Sequence, residues 1–133
     1  MIKYRKGYKY QLAETYYRNV YITGFEIDTE FIKLTLDGQL VILSGYSWDG
    51  PSGPAIDTDN FMEGSLVHDA LYQLLRMSLI SKQHRKTADL LLKSICRSKG
   101  MSKIRTWLVV KGVRWFASGA ADPKNKKLIY VTN

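Results

Sequence analysis

Cysteine, histidine and long apolar runs are scarce in this chain of 133 residues. The single cysteine, Cys96, excludes an internal disulfide and a cysteine metal cluster, and two histidines, His68 and His84, do not form a zinc signature. No segment approaches the roughly 20 apolar residues of a membrane span, and no apolar run follows the basic N-terminus. We therefore expect no transmembrane segment and no signal peptide, and a cytoplasmic origin.

Acidic side chains are scarce in the second half of the chain. Residues 1–75 carry six basic and ten acidic side chains, whereas residues 76–133 carry fourteen basic and two acidic ones. This distribution makes the C-terminal half a candidate surface for an anionic partner, which could be nucleic acid, anionic lipid or an acidic protein. The alternative is a solvated basic face, because no nucleic-acid-binding motif accompanies the charge.

Strand patterns precede helix patterns along the chain. Residues 8–23 are rich in Tyr, Val, Ile and Thr, which favour strands, and the Asp37-Gly38 dipeptide between two apolar segments predicts a β-hairpin. From Phe61 onwards the apolar residues recur at helical spacing. The sequence therefore predicts an α+β fold with a small antiparallel N-terminal sheet, a long Gly/Pro loop and a three-helix C-terminal layer. As one domain it would comprise a β-rich part at 1–45, a functional loop at 46–59, three helices at 60–120, and a tail or edge strand at 121–133.

Helix limits follow from capping residues and glycine stops. We expect the first helix to run from Phe61 to about Met77, with Asp59 or Asn60 as its cap. A second helix should begin at Ser81 and end near Lys99-Gly100, and Ser102 should cap a third that reaches about Ser118. The third helix has apolar positions at Ile104, Leu108, Val109, Val113, Trp115 and Phe116.

The loop from Tyr46 to Asp59 contains two glycines, two prolines, three aspartates and a tryptophan. A loop of this length in a small domain is usually functional or disordered, and its prolines favour a rigid backbone. Such a loop can present several carbonyl oxygens to a hard cation such as calcium. A structural Ω-loop without a ligand is the alternative.

His68 lies on the apolar side of the first predicted helix and shares a face with Tyr72. A buried histidine needs a partner for its second ring nitrogen. The candidate is Asp89, the only acid between Asp69 and Asp122, which lies near the apolar face of a basic helix. Two plainer alternatives are a satisfied core histidine and an intrahelical ion pair between Arg85 and Asp89.

The His-Asp-x-x-Tyr pattern at His68-Asp69 and Tyr72, preceded by a glycine-rich loop, resembles phospholipase A2. The resemblance implies that His68 is the general base for a water molecule, that Asp89 orients it, and that the Tyr72 hydroxyl supports Asp89. It also implies a calcium ion held by Asp69 and by carbonyl oxygens of the loop, at Tyr46, Trp48 and Gly50.

A resemblance that covers more of the chain, about residues 44–120, is to a phage and prophage family of unknown function. It rests on the loop from Gly45 to Pro54, the His68–Tyr72 segment, and the Arg-x-x-Ala-Asp segment at Arg85–Asp89. In this loop Asp49, Ser52 and Pro54 would support the site, together with Arg85. The family brings no established activity.

Two functions follow as expectations. One is a small phage-type hydrolase that depends on a metal, with calcium as its only cofactor. The other is a non-catalytic phage protein, either a virion component or an inhibitor of a host factor, that uses its basic C-terminal half. Either would act in the host cytoplasm or in the phage particle, with an anionic partner or with a phage or host protein.

Overall fold

The computed structural model describes residues 4–5, 10–48 and 59–117 of the chain, and the side chains of 10–48 and 60–112. These residues belong to two compact units, the first of strands and the second of helices. The α+β class predicted from the sequence is confirmed.

The described residues of the first unit form seven short strands in two antiparallel sheets. The strands are β1 (Tyr4–Arg5), β2 (Tyr10–Leu12), β3 (Tyr16–Asn19), β4 (Ile27–Asp28), β5 (Ile32–Leu34), β6 (Gln39–Ile42) and β7 (Ser47–Trp48). One sheet has the order β1-β2-β7 and the other the order β3-β6-β5-β4.

The predicted hairpin at Asp37-Gly38 is confirmed, since β5 pairs with β6 and places Leu34 opposite Leu40. Gly38 has a φ of +93° and donates its N–H to the Thr35 carbonyl at 3.0 Å. A side chain at Gly38 would be strained at this φ, and its Cβ would lie 3.2 Å from the Tyr21 backbone. Glycine at this position therefore fixes the register that buries Leu34 and Leu40.

Three helices make up the described part of the second unit. They are α1 (Asp59–Arg76), α2 (His84–Ser98) and α3 (Lys103–Ala117). None of the helices in the described part of the chain is long and apolar enough to cross a bilayer.

The helix limits agree closely with the sequence prediction at most ends. Helix α2 begins at His84 rather than at Ser81, because His84 and Arg85 donate their N–H groups to the carbonyls of Ser81 and Lys82 in a preceding turn. Ser102 caps α3 as predicted, since its Oγ accepts the N–H of Arg105 at 3.2 Å.

The other limits of the helices differ in detail. Helix α1 begins at Asp59, so Asn60 lies inside its first turn rather than before it. Gly100 follows α2 with a φ of +92°, as expected for a glycine stop. The predicted edge strand in the tail lies outside the described residues.

Helix α1 is the buried centre of the second unit. From Phe61 to Leu75, Asp69 is the one residue that is not buried. Gly64 allows α2 to approach closely, since a Cβ there would lie 2.9 Å from Leu92 Cδ1 and 3.1 Å from Cys96 Sγ. The apolar cluster that joins the three helices consists of Phe61, Leu92, Cys96, Met101 and Val109.

Helix α3 does not bury all of its predicted apolar positions. Val109 is buried, but Ile104 is 76% exposed and Leu108 is 56% exposed. The apolar pattern therefore predicted the helix, and two of its apolar positions lie on an exposed face. Val113, Trp115 and Phe116 lie outside the residues whose side chains are described.

Candidate functional site

The candidate site lies between α1 and α2, where His68 and Tyr72 are one helical turn apart on α1. Their rings are 4.1 Å apart between centroids. Asp89 of α2 lies opposite them. All three side chains are at most 3% exposed.

One carboxylate oxygen of Asp89 binds both α1 side chains. His68 Nε2 lies 2.8 Å from Asp89 Oδ1, and Tyr72 Oη donates to the same oxygen at 2.9 Å. The predicted partner of His68 is therefore confirmed, as is the contact between Tyr72 and Asp89. The plainer alternative of a structural core histidine, whose ring nitrogen is satisfied by Asp89, is also consistent with this geometry.

The geometry has a definite consequence for the imidazole of His68. An ionised carboxylate accepts hydrogen bonds and donates none, so it favours the tautomer with the proton on Nε2. The lone pair of that neutral imidazole then lies on Nδ1. The arrangement can orient a base and stabilise the imidazolium that forms when Nδ1 takes a proton.

Gly64 contributes to this geometry, although it was not among the site residues predicted from the sequence. Its missing side chain permits the approach of Leu92 and Cys96, which lie three and seven residues after Asp89 on the same helix. A glycine inside a helical pattern lowers helix stability, so it often indicates close packing. That rule was the available signal for Gly64.

The burial of a charged residue of α1, Glu63, was also not predicted from the sequence. Glu63 is 5% exposed, and its Oε1 lies 3.1 Å from Lys99 Nζ, just after the end of α2. The buried carboxylate of Glu63 is thus neutralised by a basic side chain that follows the other helix. The pair supports the packing of α1 on α2 near Gly64.

Asp69, the proposed calcium ligand, follows His68 in α1 and is partly exposed. A single carboxylate on a helix needs further oxygen ligands to hold calcium. Within the described residues, no three His, Cys, Asp or Glu side chains form a metal-binding group. Asp49, Gly50, Ser52 and Pro54, which the hypothesis also uses, lie outside those residues.

Tyr46 and Trp48, the remaining loop candidates, lie in the first unit. Both are buried, and their rings stack with centroids 6.5 Å apart. Trp48 belongs to β7, where it pairs with Tyr10 of β2. Both side chains therefore contribute to the packing of the first unit. That the backbone carbonyls of these two residues bind calcium stays a prediction.

Arg85 lies in the first turn of α2 and is exposed. The carboxylate of Asp89, one turn later, is instead bonded to the two α1 side chains. The predicted support of the loop by Arg85 stays a prediction, since the loop lies outside the described residues.

Cys96 is fully buried beside Gly64, as expected for a small apolar residue. Burial raises the pKa of its thiol, and the positive charge of Arg105 offsets only part of this rise. The net change in this pKa is from 9.0 to about 11. A thiol with this pKa remains protonated at neutral pH and is a poor nucleophile. Cys96 therefore contributes to packing and is not a catalytic candidate.

A groove on the other side of α2 also involves Asp89. It has a volume of about 600 Å³ and lies between α2 and α3. Basic side chains from both helices line it together with Trp107. The sequence predicted a basic C-terminal half but not the convergence of these side chains on one groove.

No protein family, curated protein or solved structure matches this chain.

Proposed function

We propose that the chain is a small hydrolase in which His68 activates water, as the likeness to the phospholipase A2 site implies. The observation that carries the proposal is the single Asp89 oxygen that binds both His68 Nε2 and Tyr72 Oη. Structural histidines also bond to carboxylates. A hydroxyl that also holds the carboxylate, however, fixes the imidazole in the way that a general base requires.

In the proposed reaction, Nδ1 of His68 takes a proton from water while the water oxygen attacks the carbonyl carbon of an ester. The new imidazolium keeps its Nε2–H on Asp89, whose negative charge stabilises it in the low-dielectric interior. Tyr72 holds the carboxylate and does not exchange protons with the substrate. The proton then passes from Nδ1 to the leaving alkoxide, which restores the neutral base.

Calcium is part of this proposal, with Asp69 as one ligand and loop carbonyls as others. Asp69 fits this use because it alone is not buried among residues 61–75 of α1. A bound calcium ion would supply an electrophile for the carbonyl oxygen. The test is thermal unfolding with calcium and with EGTA. We expect calcium to raise the Tm of the wild type but not that of Asp69→Asn, and an equal rise in both proteins would contradict Asp69 as a ligand.

Hydrolysis is tested with phospholipid vesicles and fluorogenic carboxylic esters, in calcium and in EGTA. We expect His68→Gln to abolish turnover and Asp89→Asn to lower it by at least about 100-fold, because the base loses its orientation. His84→Gln is the matched control and should retain full activity. Circular dichroism and urea unfolding confirm that each variant folds.

Two results would overturn the hydrolase proposal. One is the absence of turnover by folded wild type on all these substrates. The other is turnover that His68→Gln retains.

A second candidate function is that of a non-catalytic phage protein, in the virion or bound to a host factor, that uses its basic C-terminal half. The observation that favours it is the groove between α2 and α3, which basic side chains line from both helices. In that case His68, Tyr72 and Asp89 would serve only to hold α1 on α2. Unchanged host toxicity or virion incorporation of His68→Gln would support this function over hydrolysis.

A further inference from the structure

The groove between α2 and α3 concentrates positive charge from both helices. Lys93 and Arg97 line it from α2, and Lys103 and Lys111 line it from α3. The one acidic side chain in the lining, Asp89, is 3% exposed and already accepts hydrogen bonds from α1. We call the groove lined by these four basic side chains the basic groove.

Large apolar side chains on the two helices are also exposed, and two of them, Leu90 and Trp107, line the groove. The exposed fractions are 62% for Leu90, 76% for Ile104, 58% for Trp107 and 56% for Leu108. The three side chains on α3 have the spacing of one helical face, which continues to Lys111. We call these four residues the apolar rim.

The charges at the starts of α2 and α3 oppose helix stability. Neither helix has an acidic residue in its first turn. The first turns carry Arg85 and Lys86 in α2, and Lys103 and Arg105 in α3. Cations near a helix N-terminus are unfavourable because the helix dipole is positive there. These cations are therefore not placed to stabilise the helices that carry them through the helix dipole.

We propose that the basic groove and the apolar rim bind the surface of a membrane that contains anionic phospholipids. Lipid phosphates would lie against the four cations, and the rim side chains would enter the boundary between headgroups and acyl chains. Tryptophan suits this boundary because its ring is apolar and its N–H is polar. The role needs no catalysis, so it does not depend on the hydrolase proposal.

A nucleic acid would use fewer of these features. Lys111 Nζ already lies 4.9 Å from the centroid of the Trp107 ring, which partly occupies one face for base stacking. A phosphate backbone in the groove would also leave Ile104 and Leu108 exposed to water. An anionic membrane accounts for the charge and for the apolar exposure together.

The test is flotation of the full chain with vesicles made of ether-linked lipids, which an esterase does not cleave. We expect binding to vesicles with 30% anionic phosphatidylglycerol to be on the order of 600 times tighter than to pure phosphatidylcholine, at about fivefold for each of the four cations. Lys93→Gln with Lys111→Gln should weaken binding about 25-fold, at about fivefold per cation. The matched control, Lys33→Gln with Lys82→Gln, changes the net charge equally and should alter binding less than twofold.

The apolar rim is tested separately. We expect Trp107→Ala to weaken binding about tenfold, whereas Tyr17→Ala, at an aromatic residue that is 65% exposed in the first unit, should leave it unchanged. Equal losses in the groove variant and its charge control would overturn the proposal, as would unchanged binding in Trp107→Ala. Tighter binding to a single-stranded oligonucleotide than to the vesicles, through the same lysines, would also overturn it.

Discussion

The two sides of α2 differ in how they use polar side chains. On the α1 side, Gly64 permits close packing, and a buried carboxylate is matched by two hydrogen-bond donors. On the α3 side, four cations and exposed apolar residues border an open groove. Asp89 takes part in both. The difference indicates that buried polar groups specify the α1–α2 interface, whereas the cations at the groove line an exposed surface, where Arg97 also donates to the Met101 carbonyl.

The largest expected effect is the loss of the buried carboxylate in Asp89→Ala. His68 Nε2 and Tyr72 Oη would lose their common acceptor in the interior, and we expect the free energy of unfolding to fall by about 3–5 kcal/mol. Urea unfolding followed by circular dichroism measures this. Lys93→Ala, on the groove side of the same helix, should change stability by less than about 0.5 kcal/mol. Similar losses in both variants would remove the distinction between the two sides.

Much of this contrast could be predicted from the sequence, because burial imposes pairing. His68 lies among apolar residues of the predicted helix, so its ring nitrogen required a hydrogen-bond partner. Asp89 was the only acid within reach on the next helix. The Asp37-Gly38 hairpin and the Ser102 cap follow from local chemistry in the same way. Features set by local chain chemistry, or by a buried group with one candidate partner on the next helix, were therefore predictable.

Features that depend on which surfaces remain uncovered were not predictable. Apolar spacing identifies a helical face, but Ile104 and Leu108 show that it does not tell whether another element covers that face. The groove cations also come from two helices whose relative packing the sequence does not encode locally. The close approach at Gly64 is a tertiary contact of the same kind.

A smaller effect is expected from filling the space at Gly64. In Gly64→Val the new side chain would meet Leu92 and Cys96, and overpacking of this kind costs about 1–3 kcal/mol. Ser94→Val, on an exposed position of α2, controls for the helix propensity of valine. Urea unfolding compares the two variants. An equal change in both would mean that the α1–α2 interface can widen without cost.

The contribution of the hydroxyl is smaller still. Tyr72→Phe removes one of the two donors to Asp89 but keeps the ring, so we expect a loss of about 1 kcal/mol in the free energy of unfolding. Tyr17→Phe, at an exposed position, should show none. A loss as large as that of Asp89→Ala would show that the hydroxyl, and not the His68 contact, maintains the interface.

The last expected effect is a pH dependence from Cys96, which lies against Gly64 on the closed side of α2 and acts only in alkaline solution. Burial raises the pKa of the folded thiol from 9.0 to about 11, so the unfolded chain loses this proton first as the pH rises. The stability linked to the thiol is complete below pH 9 and is lost between pH 9 and 11. Over this range we expect wild-type stability to fall more steeply than that of Cys96→Ala, by up to about 1 kcal/mol per pH unit.

Urea unfolding of wild type and Cys96→Ala at several pH values isolates this slope, because the two proteins differ only in the thiol. The groove double variant, Lys93→Gln with Lys111→Gln, should keep the wild-type slope, since it leaves the packing around the thiol unchanged. Parallel curves for wild type and Cys96→Ala would show that water reaches Cys96. The α1–α2 interface would then be less closed than its contacts indicate, and the contrast with the groove would weaken.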